Sequence, residues 1–301
     1  MQIKELLQFG IINIDKPSGP TSHQVAEYTR KILNVNKSGH SGTLDPKVTG
    51  CLPVALGKAT RIIELLMGNS KEYICVIELH KDLEEIGEEE LRKIILSFKG
   101  KIKQTPPVKS AVKRQERERE IYDIEILQIG KRETLFRVDC EAGTYLRLIC
   151  HNIGQKLGCG AQMKELRRIR SGIFKEDTLV TLNDLRDAYE LWKEGNEEKD
   201  KQKIERAESL LKKYIHPVEY IVKDMNKVYV NESGLRLVNN GQNLRENNVE
   251  RLKIKGSGKG EKVAIINKDK LIALGKLTLN SKTFKNNRDK LAVNVYKVFG
   301  R

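Results

Sequence analysis

The sequence predicts an α+β protein in two parts: strands interleaved with helices over residues 1–219, then a small all-β domain over 220–301. Three observations carry this. Hydrophobic spacing switches repeatedly between strand and helix periods through the first two thirds of the chain. Helical spacing fades after His216–Pro217. Basic charge also gathers beyond that point: residues 217–301 hold 18 Lys and Arg against 8 Asp and Glu, net +10, whereas the rest holds 38 against 33, net +5.

The elements follow in order. GIINID, Gly10–Asp15, is an apolar run closed by KPSGP, which reads as a strand ended by turn residues. Ser22–Leu33 has helical spacing at Val25, Ile32 and Leu33. GHSGTLDP, Gly39–Pro46, reads as a loop with a single carboxylate, Asp45. CLPVALG is apolar, and ATRIIELLM reads as a helix. KEYICVIEL, Lys71–Leu79, alternates and is β-branched, a strand pattern. EEIGEEELRKIILSF starts acidic, which favours a helix N-terminus. IYDIEILQIG and TLFRVDCEAGTYLRLI read as strands, the second carrying Arg147, and Cys150–Leu157 as a helix. Leu182–Tyr214 is helical and highly charged, a solvated helix face or a linker. Beyond it KVYV, ERLKIKG, KVAIINKD, LIALGKLTL and LAVNVYKV read as short strands, with KGSGKGEK as a hairpin turn.

The chain has 56 Lys and Arg against 41 Asp and Glu, net +15, which favours an anionic partner, nucleic acid first. No apolar run approaches the roughly 20 residues that a span needs, and MQIKELLQFG lacks the apolar core of a signal peptide, so a cytoplasmic protein without membrane contact is expected. Five dispersed cysteines form no CxxC pair, and Cys150, His151 and Cys159 lack metal-site spacing and a fourth ligand. TGCLPVALGKAT and KGSGKGEK fail the phosphate-loop pattern, and no nucleophile elbow is present.

Six blocks stand in order: GIINIDKPSGPTSHQV, GHSGTLDPKVTGCLPVALGKATR, KEYICVIELH, PPVKSAVKR, CEAGTYLRLICHNIGQKLGCGAQMKELRRIRSG and EDTLVTLNDLRDA. Together they resemble the B family of pseudouridine synthases, in the archaeal and eukaryotic branch that includes dyskerin. The resemblance spans Gly10 to about Tyr220 and implies the pseudouridine synthase fold, a mixed, largely antiparallel sheet with flanking helices. LRLVNNGQNL and VAIINKDKLIALGKLTL give the basic C-terminal domain a looser resemblance to the RNA-binding PUA module.

The resemblance implies an isomerase that converts uridine to pseudouridine with neither cofactor nor metal. Asp45 corresponds to its nucleophile, Arg147 to the arginine paired with it, Tyr73 to the tyrosine that stacks on the target uracil, and Leu166 to the pocket wall. His40 matches a position near the everted base, and Lys16 and Pro17 are signature residues that support the active-site loop. Lys109, Lys113, Arg114, Arg167 and Arg168 lie in the two basic clusters and are expected to bind RNA or support the loop. Implied partners are a box H/ACA guide RNA, rRNA, tRNA, small ribonucleoprotein subunits on the catalytic domain and a kink-turn-binding protein held through the guide. The alternative is a non-catalytic guide-RNA scaffold. A retaining glycosidase is excluded because no second acid stands in a matching motif. Three departures stand out: only nine residues precede Gly10, KRQERERE is more acidic than the family run, and Gln242 replaces a small residue.

Overall fold

The computed structural model describes residues 2–106, 113–256, 258–280, 282, 284–285 and 289–299. The chain divides into two compact units, Met1–His216 and Pro217–Arg301. The sequence boundary stands three residues later, at 219/220.

In the first unit, α1 (Ile3–Phe9) buries Ile3, Leu6 and Phe9 at i, i+3 and i+6. It leads directly into β1 (Gly10–Lys16). Gly10 is forced by space: a Cβ there would lie 2.4 Å from the Leu6 carbonyl oxygen and 2.3 Å from an Ile215 methyl carbon. Thr21 caps α2 (Ser22–Ile32) through a reciprocal capping box with Gln24. A short β2 (Ser38–His40) and the longer β3 (Thr49–Leu56) flank the Asp45 loop. ATRIIELLM forms a tight 3₁₀ segment, Gly57–Ile62, and a single turn, α3 (Glu64–Met67). β4 (Lys71–Leu79) alternates buried and half-buried residues, as its sequence pattern requires.

Gly87, at φ +88°, splits the acidic helix into α4 (Leu83–Ile86) and α5 (Glu88–Leu96). β5 (Gly100–Gln104), β6 (Arg117–Ile129) and β7 (Glu133–Cys140) follow. Arg147 is not on a strand. β7 ends at Cys140, and α6 (Leu146–Lys156) begins beyond the turn at Gly143. Its buried Leu146, Ile149, Cys150 and Ile153 follow helical spacing, which the alternation in TYLRLI hides. β8 (Ala161–Ser171), β9 (Phe174–Lys175) and β10 (Leu179–Val180) lead to α7 (Leu182–Glu198) and α8 (Lys201–Tyr214). These two charged helices are no loose linker: Leu185, Ala188 and Leu211 join an apolar cluster with residues of α1, α2, β1 and β3. β11 (Ile215–Pro217) closes the unit against β1.

The resulting sheet runs β10-β1-β3-β8-β4-β7-β6-β5, with β11, β2 and β9 as side branches. The β1–β10 and β3–β8 pairs are parallel, and the β1–β3, β2–β3, β4–β7, β4–β8, β5–β6, β6–β7 and β8–β9 pairs are antiparallel. The β3–β8 bridge, Thr49↔Arg167 and Gly50↔Arg168, brings the Asp45 loop beside the LRR sequence. This is the mixed, largely antiparallel sheet with flanking helices that the resemblance implied.

The second unit is not all β. It contains α9 (Glu232–Asn239), which Asn231 caps by accepting a hydrogen bond from the Gly234 N–H. Its strands are β12 (Asn226–Val230), β13 (Leu244–Arg245), β14 (Val249–Lys253), β15 (Lys262–Asn267), β16 (Lys270–Leu277) and β17 (Leu291–Val298). The sheet order is β13-β17-β16-β15-β12-β14. β14 and β15 both pair with β12, so KGSGKGEK is a crossover and not a hairpin turn. The hairpin joins β15 to β16 through Lys268 and Asp269, both at positive φ as a type I′ turn demands. Among the described residues, no helix is long and apolar enough to cross a membrane.

Candidate active site

The site is built on the loop between β2 and β3. Three residues of the preceding KPSGPTS segment brace it. Ser22 Oγ donates to the Leu44 carbonyl at 3.1 Å and accepts from the Leu44 N–H at 2.8 Å, while the Gly19 N–H donates to the Pro46 carbonyl at 2.9 Å. Lys16 is fully buried, and its ammonium donates to the carbonyls of Pro17, Pro46 and Val48 at 2.8–2.9 Å. Burial lowers the Lys16 pKa, and the nearby Asp45 charge opposes that shift. Lys16 thus acts inside the protein, and Pro17 contributes its carbonyl.

Asp45 itself stays open, with 45% of its side chain exposed. Arg147 Nε, on the first turn of α6, lies 2.9 Å from Asp45 Oδ2. A lone cation is disfavoured at the positive end of a helix dipole, and the carboxylate offsets that cost. Tyr73 lies on β4, separated from β3 by β8 in the sheet, and is 8% exposed. Burial raises its pKa above the usual phenol range, Arg168 opposes the shift, and the Asp45 charge adds to it. Leu44, Val48, Tyr73 and Leu146 share one apolar cluster, against which half-buried Leu166 packs. On β8, Leu166 pairs with Cys75, two residues beyond Tyr73. Asp45, Arg147, Tyr73 and Leu166 therefore converge from a loop, a helix and two strands.

His40 is half-buried and accepts a hydrogen bond from the Gly42 N–H at 3.4 Å through Nδ1. Burial, Arg168 and His23 lower its pKa, which favours the neutral ring.

The basic residues divide. Arg167 grips both oxygens of Asp15 at 2.9 and 3.1 Å and Glu176 at 2.7 Å, which commits its fork to joining β8 with β1. Arg168 is 1% exposed, and its guanidinium donates to the carbonyls of Cys51 and Gly42. The Arg167 fork is thus taken up by carboxylates, and the Arg168 fork by backbone carbonyls of the loop stems. Lys113 and Arg114 are exposed. Lys109 lies outside the described residues.

Sequence reasoning missed three contributors. Ser22 stood inside a quoted block with no signal of its role. Glu72 links Arg137 and Arg170 at 2.5 and 3.0 Å on the face of β4 opposite Tyr73; burial works against its charge, and the two guanidinium groups outweigh it. Lys71, 4% exposed, donates to the Leu66 and Asn69 carbonyls, and burial brings its pKa down to about 8. Among the described residues no cluster of His, Cys, Asp or Glu could hold a metal ion.

An exposed carboxylate aimed by a guanidinium beside a buried phenol is an arrangement suited to nucleophilic attack on a flat, ring-bearing substrate. Comparison with known proteins gives the family. Residues 30–146 match the TruB family pseudouridylate synthase N-terminal domain, 147–223 the tRNA pseudouridylate synthase B C-terminal domain, and 2–26 the DKCLD (NUC011) domain. A probable tRNA pseudouridine synthase B from Pyrococcus abyssi is 46% identical over 97% of this chain and 84% of its own length. Its counterpart from Methanocaldococcus jannaschii is 42% identical over 99% and 85%. Among solved structures, a Cbf5-Nop10-Gar1 complex matches with a TM-score of 0.84 and 45% identity over 99% of this chain and 87% of that one. An H/ACA RNP bound to a substrate RNA containing 2′-deoxyuridine matches with a TM-score of 0.84 and 42% identity over 99% and 87%. The chain belongs to the TruB family of pseudouridine synthases, a family of isomerases, and is similar throughout its length to the Cbf5 and dyskerin branch.

Proposed function

We propose that this chain is a cytoplasmic RNA pseudouridine synthase. It acts on guide-selected rRNA as the catalytic subunit of a box H/ACA ribonucleoprotein, on the T-loop uridine of tRNA, or on both. The observation that carries the reading is the Asp45–Arg147 pair, half open to solvent and 2.9 Å apart, next to the buried Tyr73. The similar structures with Nop10, Gar1 and substrate RNA support small protein subunits and guide RNA as partners.

The chemistry fits the residues. The target uridine leaves its stack, at a cost of a few kcal/mol, and lies on the Tyr73 ring, where stacking returns about 1–3 kcal/mol. Asp45 adds through a carboxylate oxygen to the sugar or the ring, and the bond from C1′ to N1 breaks. The uracil turns and rejoins C1′ through C5. C5 loses its hydrogen, N1 gains one, and Asp45 is released, so the atoms balance. Arg147 keeps the carboxylate aimed. Leu166 closes the apolar wall, and His40 lines the approach.

Residues 1–219 form the catalytic domain and 220–301 a PUA-like RNA-binding domain. The net +10 of residues 217–301 supports phosphate tracking by the smaller unit. With so basic a surface, sequence choice falls to base pairing with a guide or to RNA shape.

The test incubates the protein with tRNA alone, then with guide RNA, target and partner subunits, and maps product at single-nucleotide resolution. Pseudouridine at one defined position supports the reading. RNA binding without conversion in either arm, under conditions where a sister enzyme converts, favours the non-catalytic scaffold.

A further inference from the structure

We infer that Arg168 is the positioning residue that joins the Asp45 loop to Tyr73, keeping the nucleophile in register with the stacked base. The inference rests on the reading that Asp45 and Tyr73 act on an everted uridine.

Four observations converge on this side chain. Arg168 is 1% exposed, and among the described residues no carboxylate lies within ion-pair distance of it. Burying a cation without a counter-ion is expensive, so the groups that face it must compensate. Those groups belong to the site. Nε donates to the Cys51 carbonyl at 2.7 Å and Nη2 to the Gly42 carbonyl at 3.3 Å. Gly42 precedes Asp45 and Cys51 follows it, so one rigid fork holds both stems of the loop that carries the nucleophile.

The backbone reinforces this grip. Arg168 pairs with Gly50 across β3–β8, and a Cβ at Gly50 would lie 2.2 Å from the Arg168 carbonyl oxygen. On its other edge Arg168 pairs with Tyr73 across β8–β4. That pairing sets the two side chains beside each other, and the Arg168 charge opposes the upward push of burial on the Tyr73 phenol. Lysine, a point donor on a flexible stem, cannot span the two carbonyls as a planar fork does.

The experiment measures single-turnover rate at saturating RNA and RNA affinity for wild type, Arg168→Met, Arg168→Lys, Tyr73→Phe and the Arg168→Met/Tyr73→Phe double variant. Arg168→Met is expected to slow conversion by about 100-fold, the scale of a misplacement near 1 Å, with affinity within about threefold. Arg168→Lys recovers part of that rate. In the Tyr73→Phe background the Arg168→Met penalty shrinks at least threefold, because one route of its action is already gone. Penalties that multiply fully would overturn the inference, as would a rate within threefold of wild type or an affinity loss that matches the rate loss. Should Arg168→Met not fold, Arg168→Lys decides: a rate loss of fivefold or more at unchanged affinity supports the inference, and a wild-type rate overturns it. If the wild type itself converts no uridine, the proposed function has failed instead.

Discussion

Replacing Arg147 by alanine separates holding the fold from aiming the nucleophile. The Asp45–Arg147 contact is 2.9 Å, but its partners are 45% and 48% exposed. Unit charges about 4 Å apart in water attract by about 1 kcal/mol, and exposed pairs contribute about 0–1 kcal/mol to stability. For a unit of this size 1 kcal/mol moves Tm by about 2–4 °C. Loss of orientation acts on a different scale, because a carboxylate displaced by about 1 Å costs about 100-fold in rate, or about 2.7 kcal/mol of barrier. Arg147→Ala should therefore melt within about 4 °C of wild type while single-turnover conversion falls about 100-fold. Arg147→Lys should lie between, since it keeps the charge and loses the planar fork. The assay follows release of tritium from C5 of the target uridine with enzyme in excess, since pseudouridine formation removes that hydrogen. A rate loss below threefold would refute the aiming role, and a Tm drop above about 8 °C would show that the pair mainly holds the fold.

Asp45→Asn should bind RNA within about threefold of wild type and release no tritium, because the amide keeps the shape and loses the nucleophile; measurable turnover would remove Asp45 from its role. Lys16→Met leaves three buried carbonyls without their donor, and urea unfolding should show a loss of about 2–4 kcal/mol. Gly50→Ala should cost at least about 2 kcal/mol, given φ +98° and a Cβ 2.2 Å from the Arg168 carbonyl oxygen, with loss of activity as the loop stem moves. Lys71 is held at about 8, below the ordinary 10.5, so between these values the unfolded chain carries a proton that the folded chain has shed. Its contribution to stability thus rises with pH, and the stability difference between wild type and Lys71→Met should grow by about 2–3 kcal/mol from pH 8 to pH 10. A flat difference would place the Lys71 pKa at its ordinary value.

Some of this protein is written locally. Alternation in KEYICVIEL, with its buried and half-buried faces, needs no tertiary information. The GHSGTLDP loop, the apolar GIINID run and the basic C-terminal composition are equally direct. Asp45, Tyr73, Arg147 and Leu166 came from ordered sequence blocks, since no spacing rule joins residues 45, 73, 147 and 166. Local reading failed where two periods overlap. In TYLRLI the alternation looked like a strand, and the helix emerged because burying Leu146, Ile149, Cys150 and Ile153 on one side satisfies the core. The same competition hid α9 among the strands of the second unit, and pairing of β14 and β15 with β12 turned an expected hairpin into a crossover.

Residue type by itself determined what chemistry is present: one carboxylate in a glycine-rich loop, a tyrosine on an alternating strand, and a surplus of arginine and lysine. Tertiary structure alone decided which basic groups face solvent. Arg147 came out at the rim, paired and open, whereas Arg167 went to Asp15 and Arg168 vanished beneath the loop. The reason is physical. A guanidinium has the same charge everywhere, and its role follows from which acceptors the folded backbone brings within 3 Å or so of its five donors.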